Sequence, residues 1–350
     1  MPNNTATIAD IARHAGVGTA TVDRVMNKRA GVNVETTQKV MDAVKALGEP
    51  VVMRGRPRQK DGFRFAYVLP DGDAAFFNQL ERLIAQTAGD FRHQHITEVT
   101  YRLNADDPAS FAAELARLGS YDGIALVAPD VPAVKLAIND LVRSGVHVVT
   151  LFSDLAGSMR EGFVGADNRA AGRTAGLLLA RMAAAPEADT LLLLSQATRM
   201  SGEIERRIGF VQVLEERYPK LRVERYLELP ADDHGVALAL ASVFSGGVST
   251  CAVNAARLAG IYSVGGGTQG IVQALNALKL KRAPAFIAHD FTDVHQALLI
   301  QGPLSFVLHQ DIHYCVLTAS RVLRGLCENV RGALNVVQPR VEILTVENLH

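Results

Sequence analysis

Three sets of residues in this chain have types and spacings that could do chemistry. The run Gly265-Gly266-Gly267-Thr268-Gln269-Gly270 follows an apolar stretch and precedes a helical pattern, with Asp290 twenty residues beyond it. Glycines so placed let backbone amides approach a pyrophosphate at a helix N-terminus, and the later acid can accept from a ribose hydroxyl. On that reading the chain binds a nicotinamide dinucleotide, as a redox-responsive regulator or as an oxidoreductase. His309 and His313 stand four apart with Asp311 between them, a spacing at which two imidazoles could share a metal. No Glu completes the usual metalloprotease pattern, and helix-capping or cleft-edge roles explain the pair better. Cys251, Cys315 and Cys327 are odd in number and far apart. They read as buried thiols of a reducing compartment, not as a disulfide framework or a zinc site. No nucleophile elbow, Walker-type loop or Cys/His pairing is present, so no catalytic residue, metal or cofactor is assigned.

A different kind of site stands at the N-terminus. Residues 7–27 read as a helix, a tight turn and a second helix. Thr7 followed by Asp10 makes a capping-box-like start. Ile8, Ile11, Ala12 and Ala15 fall on one helical face, Gly16 marks the stop, and Val17 plugs the corner. Thr21, Val22, Val25 and Met26 carry the second helix. A third helix is predicted from about Val34 to Leu47, capped by Asn33, with Val34, Val40, Met41, Val44 and Leu47 as its apolar stripe. This is the geometry of a helix-turn-helix, whose second helix presents its first turn to base edges in a major groove. The net charge is zero, but its distribution is not even. Residues 1–60 carry ten Lys/Arg against five Asp/Glu, and the remainder carries 26 against 31. The attraction for phosphate therefore coincides with the groove-reading motif.

The rest of the chain must position any further site. At 350 residues and 48% apolar content it can bury a large core in more than one domain. No apolar run approaches the about 18 residues of a membrane span, and no signal-like apolar segment opens the chain. Periodicity breaks from about Gly48 to Gly62, where Arg54-Gly55-Arg56-Pro57-Arg58 reads as a basic linker. Buried strands are predicted at Phe63 to Leu69, Ile96 to Leu103, Gly123 to Val127, His147 to Phe152, Thr190 to Leu194, Gly260 to Val264 and Ala285 to Ala288. Helices are predicted at Phe77 to Thr87, Ala133 to Arg143, Arg169 to Ala184 and Glu203 to Arg217. Alternating strands and helices imply parallel sheets covered on both faces, here two half-domains.

The head resembles the lactose-repressor (LacI) family of bacterial transcription regulators through Ile8-Ala9-Asp10-Ile11-Ala12, Ala15-Gly16-Val17 and Thr21-Val22-Asp23-Arg24-Val25-Met26-Asn27. The likeness extends into the body through Phe163-Val164-Gly165-Ala166-Asp167-Asn168, Ala171-Gly172 and Glu205-Arg206-Arg207-Ile208-Gly209-Phe210. The resemblance implies an α/β protein: an all-α helix-turn-helix head (1–48), a linker (49–62) and a two-lobed, parallel-sheet body like periplasmic sugar-binding proteins (63–350). It implies three crossings between the lobes, near residues 163, 290 and 320. The implied function is a cytoplasmic repressor of carbohydrate genes, with double-stranded operator DNA, a sugar-like effector and a second copy of the chain as partners. The assembly would be a homodimer or a tetramer, with no membrane partner.

Site residues follow from the same resemblance. DNA contacts fall to Thr7, Thr19, Ala20, Thr21, Arg24 and Asn27. Phe76 and Phe77 match an aromatic pair that stacks on a sugar ring, though core phenylalanines are an equal reading. Asp154, Asp290 and Gln310 match hydrogen-bonding positions after strands, and Arg206 a sugar-contacting arginine. Arg206 could instead be a surface partner for Glu203 or Glu205. Many members have an Asn-Asp pair where this chain has Gly265-Gly266-Gly267, which leaves room or backbone amides at Gly266. Ala74 stands where a polar residue can occur. The glycine run thus serves a sugar pocket as well as a dinucleotide. Family members form a hinge helix after the third helix and insert a leucine into the minor groove. That position falls on Arg58 here, amid Gly55 and Pro57. Arg54-Gly55-Arg56-Pro57 resembles an AT-hook core, so Arg54, Arg56 and Arg58 either enter the minor groove or form a basic tether.

Overall fold

A computed structural model describes residues 8–26, 31–47, 62–72, 74–87, 95–183, 187–247, 253–330 and 336–349. The chain divides into two units, Met1–Asp61 and Gly62–His350. Thr7, Asn27, Arg54, Arg56, Arg58, Cys251 and all of the predicted linker except Gly62 lie outside the described residues.

The first unit holds three helices, α1 (Ile8–Ala15), α2 (Thr19–Met26) and α3 (Val34–Leu47). Their shared core is Ile11, Ala12, Val22, Val40, Ala43 and Val44, with Ala15, Val17, Val25, Met26 and Leu47 packed around it. Gly16 ends α1 at φ 66°, the left-handed conformation that glycine adopts at least cost. The amide of Val17 then bonds back to the Ala12 carbonyl at 3.0 Å. Asn33 caps α3 by accepting from the Thr36 amide at 2.7 Å. Two members of the predicted α3 stripe are not in the core, because Val34 is 86% exposed and Met41 is 50% exposed. Three short helices enclose a narrow seam, and Ala43 takes its place there beside Val40 and Val44.

The second unit contains two sheets. The first is formed by β1 (Phe63–Pro70), β2 (Ile96–Leu103), β3 (Gly123–Leu126), β4 (His147–Leu151) and β5 (Gly162–Val164), in the order β2-β1-β3-β4-β5. All its pairings are parallel. The second is formed by β6 (Thr190–Gln196), β7 (Arg222–Leu229), β8 (Leu258–Ser263), β9 (Ala285–His289), β10 (Phe306–His309) and β11 (Glu342–Leu344), in the order β11-β10-β9-β8-β6-β7. Its pairings are parallel except that of β11 on β10.

Helices cover both faces of each sheet. On the first sheet, α4 (Ala75–Thr87) and α12 (Ile312–Cys327) bury one face, while α5 (Pro108–Ala116) and α6 (Pro132–Arg143) bury the other. On the second, α7 (Asn168–Met182) and α8 (Ser201–Arg217) lie opposite α9 (Asp233–Ser245), α10 (Thr268–Ala277) and α11 (Asp293–Gln301). The predicted strands and helices are present with bounds moved by one or two residues. β7 lay outside the strand predictions because its sequence, RVERYLEL, is that of a half-solvated edge strand.

The order of elements among the described residues requires three crossings between lobes, two of which differ from the expectation. The first follows β5, where α7 begins on the second sheet. Nothing crosses near residue 290, since β9, α11 and β10 all stay with the second sheet. The second crossing lies between β10 and α12, whose Ile312, Cys315, Val316, Ala319, Val322 and Leu323 join the core of the first lobe. The third lies between α12 and β11. The apolar stripe of α12 decides this, because it fits the uncovered face of the first sheet.

Candidate functional site

In the head, Val22 anchors α2 from beneath while Thr19, Ala20 and Arg24 are exposed and Thr21 is half-buried. The first turn of the second helix thus presents short polar and methyl groups with a guanidinium one turn on. That set suits hydrogen bonding to base edges and contact with a thymine methyl.

In the body, the carboxyl ends of the two sheets face one another. Several contacts bind them there. Gln310 Oε1 accepts from the Ala166 amide at 3.1 Å, and the Gly202 amide donates to Ser153 Oγ at 3.2 Å. Asp130 N donates to the Arg199 carbonyl at 2.8 Å, and Arg82 pairs with Asp293 at 3.5 Å. Phe76 and Phe77, at the start of α4, are half-buried and meet edge to face at 5.3 Å. Phe76 also meets Phe152 edge to face at 5.4 Å. The pair packs against the first-lobe core.

Arg206 is the centre of the second-lobe side. It is buried, because α7 and α8 cross at glycines. A Cβ at Gly172 would drive into the Arg206 carbonyl, and one at Gly209 into that of Arg169. The close crossing sets Arg206 Nε 2.7 Å from Asn168 Oδ1. Its Nη1 donates to the Val264 carbonyl at 3.3 Å and to Asp290 Oδ2 at 3.4 Å. The surface-pair alternative does not hold for Glu205, which pairs with Arg169 at 2.6 Å. Asn168 donates in turn to the Phe152 carbonyl at 2.8 Å, tying the guanidinium to the first lobe.

Asp290 follows β9 at φ 62°, a left-handed value that Asp tolerates better than most residues. Its carbonyl is held by His295 Nδ1 at 2.5 Å, and its amide donates to Leu308 O at 2.8 Å. Burial pushes its carboxyl up, but Arg206, then His289 and His309, outweigh this and hold it below the usual range. His289 is pushed down to about 3, chiefly by burial and then by Arg206, so its ring is neutral. Burial also lowers His295 and His309. Asp290 Oδ1, 3.9 Å from His289 Nε2, and Gln310 Nε2 are buried without a well-formed hydrogen bond, although Gln310 stands near enough to help hold the Asp290 carboxyl low.

The structure does not place Asp154 in the same role. Its Oδ1 accepts from Thr150, the Leu155 amide and Arg160, and its Oδ2 accepts from Arg160 at 2.6 Å. Burial raises this carboxyl, and the Arg160 and Thr150 bonds more than compensate, so it is lowered. Asp154 shapes its loop and has little capacity left for a ligand. Sequence reasoning did not single out Glu203 or Asn168 as site residues. Glu203 is half-buried in the first turn of α8, and burial raises its carboxyl. Its signal was its position three residues before Arg206, on the same helical face.

The glycine run is explained without a dinucleotide. Gly267 caps α10 in the left-handed region at φ 80°. Gly270 exists for helix packing, since a Cβ there would enter the Asp233 carbonyl. The Gly270 amide donates to Asp233 Oδ1 at 2.9 Å, which ties the start of α10 to α9. Asp290 faces Arg206 at the strand end. Among the described residues, no group of three or more His, Cys, Asp and Glu is placed to hold a metal, and His313 is exposed.

A two-sheet body with its site between the carboxyl ends defines the class of periplasmic binding proteins, and residues 65–328 match the periplasmic binding protein domain. Among solved structures, the Caulobacter myo-inositol binding protein superposes with a TM-score of 0.70 at 18% identity, covering 83% of this chain and 96% of that one. An arabinose binding protein from Geobacillus stearothermophilus gives 0.64 at 19% identity, covering 82% and 98%. Residues 7–48 match the lacI family of bacterial regulatory proteins. The ribose operon repressor of Halalkalibacterium halodurans is 34% identical over 86 residues, 24% of this chain and 26% of that protein. The chain thus spans about a quarter of the length of the curated relatives it matches. Head and body together place it plainly: the chain belongs to the LacI family of regulators. The dinucleotide alternative finds no support among these proteins.

Proposed function

We propose that this chain is a sequence-specific, DNA-binding transcription regulator that represses carbohydrate-uptake or catabolism genes under control of a sugar-like effector. It acts in the cytoplasm, as a homodimer or tetramer, and carries out no catalysis. The observation that supports this best is one chain combining an α2 with Thr19, Ala20 and Arg24 exposed and a cleft built on Arg206 and Asp290. One head reads only a few base pairs, so two-fold pairing suits a palindromic operator. Among the described residues no helix is long and apolar enough to cross a membrane.

The effector occupies the cleft, with Phe76 and Phe77 against the C–H face of a ring and Asp290, Gln310 and the Gly266 backbone at its hydroxyls. Ligand closes the lobes and shifts the balance between two body conformations that differ in DNA affinity. The test is operator selection from random duplexes followed by fluorescence anisotropy. Full-length protein should select a palindrome, and Arg24→Ala should weaken binding to it. A truncated chain of residues 62–350 should lose that binding. Equal binding by the truncated chain would overturn the assignment.

A further inference from the structure

The charges around the cleft discriminate among ligand chemistries. Arg206 has its donors directed at Asn168, the Val264 carbonyl and Asp290. Arg160 is matched by Asp154 and Arg82 by Asp293, while Arg102 Nη1 lies 3.7 Å from Glu81 and makes no hydrogen bond. His289, His295 and His309 are all shifted towards the neutral form by burial. Against these stands Glu203. The three nearest atoms to a Cβ built on Gly265 all belong to its carboxyl group, at 3.6 to 3.7 Å. Beside it, Gly266 is exposed and only Gln196 Nε2 comes within 4 Å of its Cβ position. The glycines therefore open a space walled by a carboxylate. Burial raises the Glu203 carboxyl, and the Arg206 charge and a hydrogen bond from Thr198 favour its ionised form.

We propose, on the reading that the cleft is the effector site, that its occupant is an uncharged polyhydroxylated molecule and that Glu203 excludes the phosphorylated counterpart. A phosphate brings about 1.5 to 2 negative charges. It would lose its hydration and meet the carboxyl groups of Glu203 and Asp290, while Arg206 and Arg160 are already engaged. Hydroxyls have what the site lacks. A hydroxyl can donate to Asp290 Oδ1 and accept from Gln310 Nε2, two buried cleft atoms that make no close hydrogen bond. Gln310 is 1% exposed, so its orientation is set by the fold before any ligand arrives.

The experiment is calorimetric titration of full-length protein with myo-inositol, D-ribose, D-arabinose and D-glucose, and with the monophosphates of each. At least one uncharged member should bind, and at least about tenfold more tightly than its monophosphate. In Glu203→Gln or Glu203→Ser, whichever folds, that ratio should narrow by about tenfold. A general loss of packing would weaken both ligands together and leave the ratio alone. A monophosphate binding as well as its parent overturns the proposed ligand class. An unchanged ratio in the folded variant overturns the role of Glu203. Binding of no member at all overturns the carbohydrate-effector reading itself, and this inference with it.

Discussion

Replacing Arg206 by Ala should destabilise the body in a way that depends on pH. The side chain is 6% exposed and its partner Asp290 14% exposed, so the pair is shielded from water. Removing the guanidinium leaves Asn168 Oδ1 and the Val264 carbonyl without this donor and Asp290 without its main cation. Breaking a buried pair from one side costs about 3–5 kcal/mol. In the parent protein the Asp290 pKa lies below its ordinary value, so its stabilisation is present above that value and is lost as pH falls through the lowered one. Without Arg206, burial raises the pKa instead. A raised carboxyl then removes stability as pH rises through it. The gap between parent and variant should therefore widen from about pH 4 to about pH 7. Equilibrium urea unfolding by circular dichroism at several pH values measures the gap, provided the slopes agree. A gap under about 1 kcal/mol, or one that does not change with pH, would refute the buried-pair argument.

Asp290→Ala should abolish the effector response in a DNA-release assay while operator affinity stays at the parent level, each lost charge-assisted bond costing about 1.5–3 kcal/mol. A normal response would mean that the ligand lies elsewhere. Gly172→Ala should lower body stability by about 1–3 kcal/mol by forcing α7 from α8, and thermal melts that coincide with the parent would contradict the close crossing. Changing Arg54 and Arg56 to Ala should weaken binding more on A·T-centred than on G·C-centred operators if they enter the minor groove. A uniform loss, with the salt slope falling by roughly one per contact, would leave the tether reading. Affinity for an uncharged effector should vary little between about pH 6.5 and 8, because burial keeps the cleft histidines neutral. A steep change across that window in titrations would show an imidazole titrating at the site.

Local signals were legible in the residues themselves. Gly16 had to end α1 and Asn33 could cap α3, and each does so through contacts within a few positions of itself. Long apolar runs such as Phe63 to Leu69 announced strands covered on both sides, and the strand-to-helix order announced parallel sheets. Arg206 and Asp290 meet, and Gln310 stands beside them, at positions that only the family resemblance had suggested. Other features depend on neighbours that are distant in sequence. Val34 and Met41 have the right period for a core stripe but lie outside a seam only three helices wide. Asp154 follows a strand just as Asp290 does, yet Arg160 occupies it. Glu203 has no motif and stands out only because folding brings Gly265, after β8, beside its carboxyl. The crossings were misplaced for the same reason: the chain order does not say which sheet has an open face for α12, and packing does. Periodicity and caps are properties of contiguous residues, so sequence alone determined them. Which cation each carboxylate meets depends on charges brought close by folding, and only the tertiary structure decided it.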